Sequence, residues 1–228
     1  MDKDLFKKIS EVIKVQNELL RALKNELIDS NGHDYVDLDL PSGTLWATCN
    51  VGASKPTDYG SYFQWGDTVG YTADQVGTGE GQKEFASNWS DYKWGVYPNF
   101  SKYTTEGAKL ELEDDAAHAN MGGGWHIPTP NQIQELIDNT TSEWTEQDGV
   151  NGMEFRSKKD TSKFIFIPAA GDAWYGSVQG SGDYGSVWSS MLDADLVDFG
   201  QKLFFYSGDV DLGSDGRCYG LSVRGVIG

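Results

Sequence analysis

Cysteine and positive charge are scarce in this chain, and long apolar runs are missing. The only two cysteines, Cys49 and Cys218, stand far apart and outside any C-x-x-C spacing. Neither a disulfide framework nor a zinc site is suggested, and a single bridge between them stays open. Eighteen basic residues face 35 acidic ones, a formal charge of −17. Such a surface repels phosphate backbones and anionic lipid alike, which argues against nucleic acid and membrane surfaces as partners. No run of about 18 apolar residues occurs, so no membrane insertion is expected. The opening MDKDLFKKIS lacks the apolar core of a signal peptide, and export by the general secretory route is not expected.

Large flat side chains and glycine are abundant instead. Eight Trp, 11 Tyr and 10 Phe accompany 28 Gly in 228 residues. Aromatics need burial or a ligand, while glycines supply turns with positive φ. The pairing predicts a loop-rich fold built on aromatic packing, with one good-sized core.

Two regions follow different patterns. In residues 1–31, Phe6, Ile9, Ile13, Gln16, Leu20, Leu23 and Leu27 alternate three and four apart, an a/d seam of roughly three and a half heptads with one polar layer at Gln16. Six basic residues cancel six acidic ones here, so the rest of the chain carries the whole charge. The seam reads as an oligomerising coiled coil; an amphipathic helix packed on its own domain is the alternative. Leu5, Val12 and Leu19 at g widen the apolar stripe and favour a parallel homotrimer over a dimer. Asp29-Ser30-Asn31-Gly32 then stops the helix and makes a short linker.

The second region, residues 34–228, alternates short apolar stretches with Gly, Asp, Asn and Ser. Residues 35–40, 44–50, 61–67, 163–171, 202–208 and 220–226 read as strands. Residues 70–103 read as an irregular insertion. Thr129 is placed to cap a helix that begins at Pro130, with Gln132 completing a capping box and Ile133, Leu136 and Ile137 forming its apolar face. The fold class expected is therefore α+β with short strands and few helices. The stretch NMGGGWHIPT (120–129) makes a glycine turn, buries Trp125 and launches that helix. His126, alternating with Trp125 and Ile127, points the other way. No Ser, Cys or paired carboxylate accompanies it at suggestive spacing, so no catalytic residue is assigned.

VDLDLPSGTLWATCNVGASKPTDYGSYFQWGDT (36–68), NMGGGWHIPTPNQIQELID (120–138), FIPAAG (166–171), VWSS (187–190), FYSGDV (205–210) and GLSVRGV (220–226) together carry a resemblance. Their order is similar to that in the C-type-lectin-fold domains of gut Bacteroidales and Fibrobacter proteins, the major paralogous domains, which are distant relatives of formylglycine-generating enzymes. A subset resembles the variable proteins of diversity-generating retroelements, in which the fold ends in a hypervariable segment written from a template with randomised adenines, mostly in AAC codons. The resemblance implies a C-type lectin fold, and in that subset a tail free of the five residue types that randomised AAC codons cannot encode: Lys, Glu, Gln, Met and Trp.

Over residues 1–150 those five types occur 36 times, a usage that places about six in a 26-residue window. Residues 203–228 contain none. The apparently fixed frame is Trp188, Ser189, Ser190, Leu203, Phe205, Ser207, Gly208, Arg217, Gly220, Leu221, Ser222, Val223 and Arg224. Between these lie the candidates for a variable binding surface: Val187, Asp193, Asp195, Val197, Asp198, Phe204, Tyr206, Asp209, Asp211, Gly213, Ser214, Asp215, Gly216, Cys218 and Tyr219. Phe204, Tyr206, Asp209 and Asp211 have period two around Phe205 and Val210, which puts them on a solvent face. Ordinary strand and turn chemistry remains an alternative for the same residues.

The expected function is that of a non-enzymatic receptor-binding protein, made in a bacterial cytoplasm and carried on a phage or prophage tail, with a cell-surface protein or glycan as partner. Tyr, Phe, Asp and Ser on a rigid frame suit such a surface, and a trimer adds avidity. A non-varying adhesin of the same fold is the alternative. A formylglycine-generating-type oxidase is a remote one, because its chemistry needs a close cysteine pair on copper. No cofactor is expected. No metal is assigned, since DVDLGSDG (209–216) lacks the ligand order of an EF-hand loop.

Overall fold

The computed structural model describes residues 8, 9, 11–16 and 29–228. Of the seam, Phe6, Leu20, Leu23 and Leu27 lie outside the described residues. Ile9, Ile13 and Gln16 fall on helical residues and are exposed on the single chain.

From residue 29 onward, small antiparallel sheets and few helices confirm an α+β, loop-rich architecture. Strand β2 (Leu45–Ala47) pairs with β1 (Tyr35–Asp37) on one side and with β13 (Val226–Ile227) on the other, so the two ends of this region meet in one sheet. Two short hairpins pair locally: β3 (Gly95–Val96) with β4 (Asn99–Phe100), and β8 (Asp172–Trp174) with β9 (Ser177–Gln179). A second three-stranded sheet joins β5 (Thr140–Gln147), β6 (Val150–Ser157) and β7 (Phe164–Pro168). The third joins β10 (Tyr184–Leu192), β11 (Phe199–Tyr206) and β12 (Asp209–Gly216).

Several elements depart from the expected bounds. Residues 61–67 form no strand; Tyr62 and Phe63 make isolated bridges to Tyr71 and Leu221. Residues 220–226 likewise contribute bridges, to Phe63, Ala173 and Val187, before β13 begins. Both segments carry fully buried side chains, Tyr62, Phe63, Trp65, Leu221 and Val223 among them, and residues 61–67 end in a turn at Gly66, whose φ is 76°. The insertion at 70–103 is irregular as expected, holding one 3-10 turn (Ala73–Gln75) and the β3–β4 hairpin.

Helix α1 (Ala116–Met121) is capped by Asp115, whose Oδ1 accepts from His118 N at 3.0 Å. Both Asp115 oxygens also accept from Ile127 N, at 3.1 and 2.8 Å. Helix α2 (Pro130–Asn139) starts as expected: Gln132 N donates to Thr129 Oγ1 at 3.3 Å, and Thr129 N donates to Gln132 Oε1 at 2.9 Å. Ile133 and Leu136 are buried and pack α2 on β10, β11 and β12.

Two large cores flank the third sheet. One gathers Trp65, Trp125 and Trp188; the other gathers Trp46, Ile133, Phe155, Leu203 and Phe205. Between 120 and 129, Gly122 and Gly123 take φ of 72° and 56°, a region that favours glycine. Asn31 Nδ2 presses within 3.1 Å of where a Cβ would stand on each. The expected linker is thus docked rather than free. Asp29 Oδ1 accepts from Asn31 N and His33 N, Asp29 Oδ2 accepts from Trp125 Nε1 at 2.6 Å, and Asn31 Nδ2 donates to Met121 O.

Candidate functional site

The third sheet positions the candidate residues. Its odd positions on β11 and even ones on β12, among them Leu203, Phe205, Val210 and Leu212, lie against the second core. The opposite face is covered at one end, where Trp188 and Gly200 meet Trp65. At its other end it is open. There the cross-strand rows are Tyr184–Tyr206–Asp209 and Ser186–Phe204–Asp211, closed by the two-residue turn Ser207-Gly208. Tyr206 is 43% exposed and Asp209 and Asp211 are exposed.

Rings run along this face. Tyr184 and Phe204 lie 5.7 Å apart, and Phe204 and Tyr206 6.0 Å. A second group, Trp174 with Tyr175 at 4.5 Å and Tyr219 at 5.5 Å, is supplied by the end of β8, the turn after it and the chain after β12. Two buried charged groups adjoin the open rows. Lys202, 7% exposed, donates to Asp215 Oδ2 at 2.8 Å and to Ser186 Oγ at 3.2 Å, and its ammonium lies 4.9 Å from the Phe204 ring centroid. Asp172, also 7% exposed, accepts from Tyr184 Oη at 3.1 Å. Burial raises the Asp172 carboxyl above its usual range against the opposing pull of Tyr184 and Lys202.

In the frame beneath, two arginines are fully buried. Arg217 donates through Nε to Tyr92 Oη (2.6 Å), through Nη1 to Tyr103 O and Val197 O (2.8 and 3.0 Å), and through Nη2 to Lys102 O (3.2 Å). Arg224 donates to Asn50 Oδ1, Ala47 O and Phe166 O. Both thereby tie the end of the chain to its first half. Trp188 Nε1 donates to Phe63 O, and Trp65 Nε1 to Ser189 O. All of the frame residues except Ser207 and Gly208 are buried.

Of the fifteen candidates, the structure brings Phe204, Tyr206, Asp209, Asp211, Gly213 and Asp215 to one face, with Tyr219 beside it. Three expectations are corrected by burial: Val187 and Cys218 are each 1% exposed and Gly216 is buried, so none of them presents a surface. Ser214 alternates to the opposite face, paired with Gln201. Asp193, Asp195, Val197 and Asp198 lie in the β10–β11 loop, at the far end of an eight-residue strand from the turn. Val197 O and Asp198 O there accept from Arg217. Asp172, Trp174, Tyr175, Tyr184, Ser186 and Lys202 were not expected at the site. Only the alternation of Tyr184 and Ser186 with buried Gly185 and Val187 marks any of them in the sequence.

Elsewhere, His126 is a neighbour of the core: its backbone bridges Val226 and its Nδ1 lies 3.1 Å from Gly124 O. Cys49 and Cys218 are free thiols, and burial pushes the Cys218 thiol up to about 12. Glu111, Glu113 and Asp114 are grouped like metal ligands, but Lys102 Nζ sits among them at 2.6, 3.0 and 2.6 Å. A cleft of about 430 Å³ lies away from the face, beside His33, Thr48, Cys49 and Asn120. Among the described residues, no helix is long and apolar enough to cross a membrane. Comparison with known protein families, curated proteins and solved structures returned no match.

Proposed function

We propose that this chain is a non-enzymatic binding protein of C-type lectin fold, carried on a phage or prophage tail, whose β10–β12 face engages a cell-surface receptor and is diversified at its exposed positions. The observation that carries the reading is the division of the C-terminal segment. Trp188, Leu203, Phe205, Arg217 and Arg224 are fully buried, while Phe204 and Tyr206 alternate with Leu203 and Phe205 on β11, and Asp209 and Asp211 with Val210 and Leu212 on β12. A surface of this make-up combines aromatic contact area with adaptable polar groups at low entropic cost. The exposed Ile9 and Ile13 on helical residues support an oligomerising stalk, read as a trimer that multiplies weak contacts.

Deep sequencing of the 3′ end of the gene across a population of its natural carrier tests the proposal. Substitutions are expected at the codons of Phe204, Tyr206, Asp209, Asp211 and Asp215, each leaving a final C. Trp188, Phe205, Arg217 and Arg224 are expected to stay fixed, and Val187, Gly216 and Cys218 to vary least among the fifteen candidates. Uniformly low variation would leave a fixed adhesin, whose ligand glycan and protein arrays can find.

A further inference from the structure

We propose that the open end of the β10–β12 face takes a basic protein segment, seating two Lys or Arg side chains at two aromatic–carboxylate stations. This rests on the binding-face reading above and names the chemistry of its ligand.

The stations are set by register. Tyr206 stands directly opposite Asp209, and Phe204 directly opposite Asp211. Each pair combines a ring face, which attracts a cation, with a carboxylate, which pairs with it. Among the described residues, neither carboxylate is used beyond one backbone hydrogen bond each, from Val210 N to Asp209 Oδ1 (2.9 Å) and from Leu212 N to Asp211 Oδ1 (2.7 Å). Among the described residues, no Lys or Arg is within ion-pair distance of either.

The protein itself supplies the precedent. One step along the same strand, Lys202 places its ammonium against the Phe204 ring while pairing with Asp215 on β12. The two open stations hold the same kinds of group, a ring and a carboxylate, within a single cross-strand row; Lys202 already lies against the Phe204 ring, while among the described residues no cation pairs with Asp209 or Asp211 at these stations. They lie two residues apart on each strand, a spacing of about 7 Å, which matches side chains at i and i+2 of an extended segment. Charge complementarity selects this occupant over others. An acidic saccharide would set its carboxylates against Asp209 and Asp211, and a second copy of the chain would bring another −17. A basic segment is drawn in by the same field.

The test uses the full chain and a dye-labelled, end-blocked peptide, Gly-Arg-Gly-Arg-Gly, with its Gln-for-Arg counterpart, read by fluorescence anisotropy. The Arg peptide should bind and the Gln peptide should not. Asp209→Asn with Asp211→Asn should weaken binding about tenfold, and Tyr206→Leu about threefold. Glu80→Gln with Glu106→Gln removes the same charge from exposed sites elsewhere and should leave affinity unchanged. Equal weakening in both double variants, or none in either, overturns the proposal. If an array ligand is lost with Tyr206→Ala while the Arg peptide ignores the face, the cationic assignment falls and the binding-face reading stands. If no ligand responds to Tyr206→Ala, both fall.

Discussion

Arg217 shows how much one residue holds. Its guanidinium is fully buried with no carboxylate partner among the described residues, and it is satisfied by three carbonyls and the Tyr92 hydroxyl. The rings of Phe100, Trp65 and Tyr92 surround it at 4.4 to 5.2 Å. Those carbonyls come from the 102–103 segment and from the β10–β11 loop, so the side chain fastens three stretches to one point. Lysine cannot reproduce a planar fork of donors. Arg217→Lys should therefore leave carbonyls unpaired in the interior and destabilise the fold by about 3–5 kcal/mol, seen as a lowered urea midpoint. A drop under about 1 kcal/mol would mean that the carbonyls find other donors. The sequence placed Arg217 and Arg224 in the fixed frame without showing their burial; all of their hydrogen-bond partners but Val197 and Phe166 lie more than 100 residues away, which no local pattern encodes.

At the scale of elements, what was legible was what is local. Thr129, Pro130 and Gln132 lie within four residues of one another, and α2 begins where they place it. Thr129→Ala removes the acceptor for Gln132 N and should lower stability by about 1 kcal/mol; no change on urea denaturation would mean that the buried face of α2 alone fixes its start. The period-two reading of 204–211 was also local, and it found the open face. Strands β5 and β6 were missed although their turn was written in the sequence: Asp148-Gly149 takes φ of 51° and 80°, the conformation that favours this dipeptide in a hairpin. Strand β5 carries almost no apolar alternation, being largely exposed, so hydrophobic pattern could not reveal it. The reverse held for residues 61–67, whose aromatic richness reads as a strand but serves to fill the cores. Asp172 and Trp174 reach the face through β8, brought there by the bridge between Ala173 and Gly220, and nothing near them in sequence announces it.

For the whole molecule, a charge of −17 and a handful of buried carboxyls set the response to acid. Burial raises Asp115 and Asp172 above the ordinary value of 3.8, against the hydrogen bonds and cations that oppose it. The folded protein therefore binds their protons more readily than the unfolded chain does, and stability rises as pH falls from their folded values toward 3.8. Relief of self-repulsion acts in the same direction. Asp114 and Asp29 work oppositely. Burial pushes each up, but donors outweigh it: Lys102, Tyr103 and Lys93 at Asp114, and His33 N and Trp125 Nε1 at Asp29. Their contribution is whole above 3.8 and is lost as pH falls through their lowered values. Urea midpoints measured from pH 7 to pH 3 should accordingly pass through a maximum on the acid side of neutrality. Asp172→Asn should flatten the rising limb between neutrality and that maximum, and Asp114→Asn the falling limb below it. A midpoint that declines steadily from pH 7, unchanged in slope by either variant, would show that these buried carboxyls do not govern the acid response.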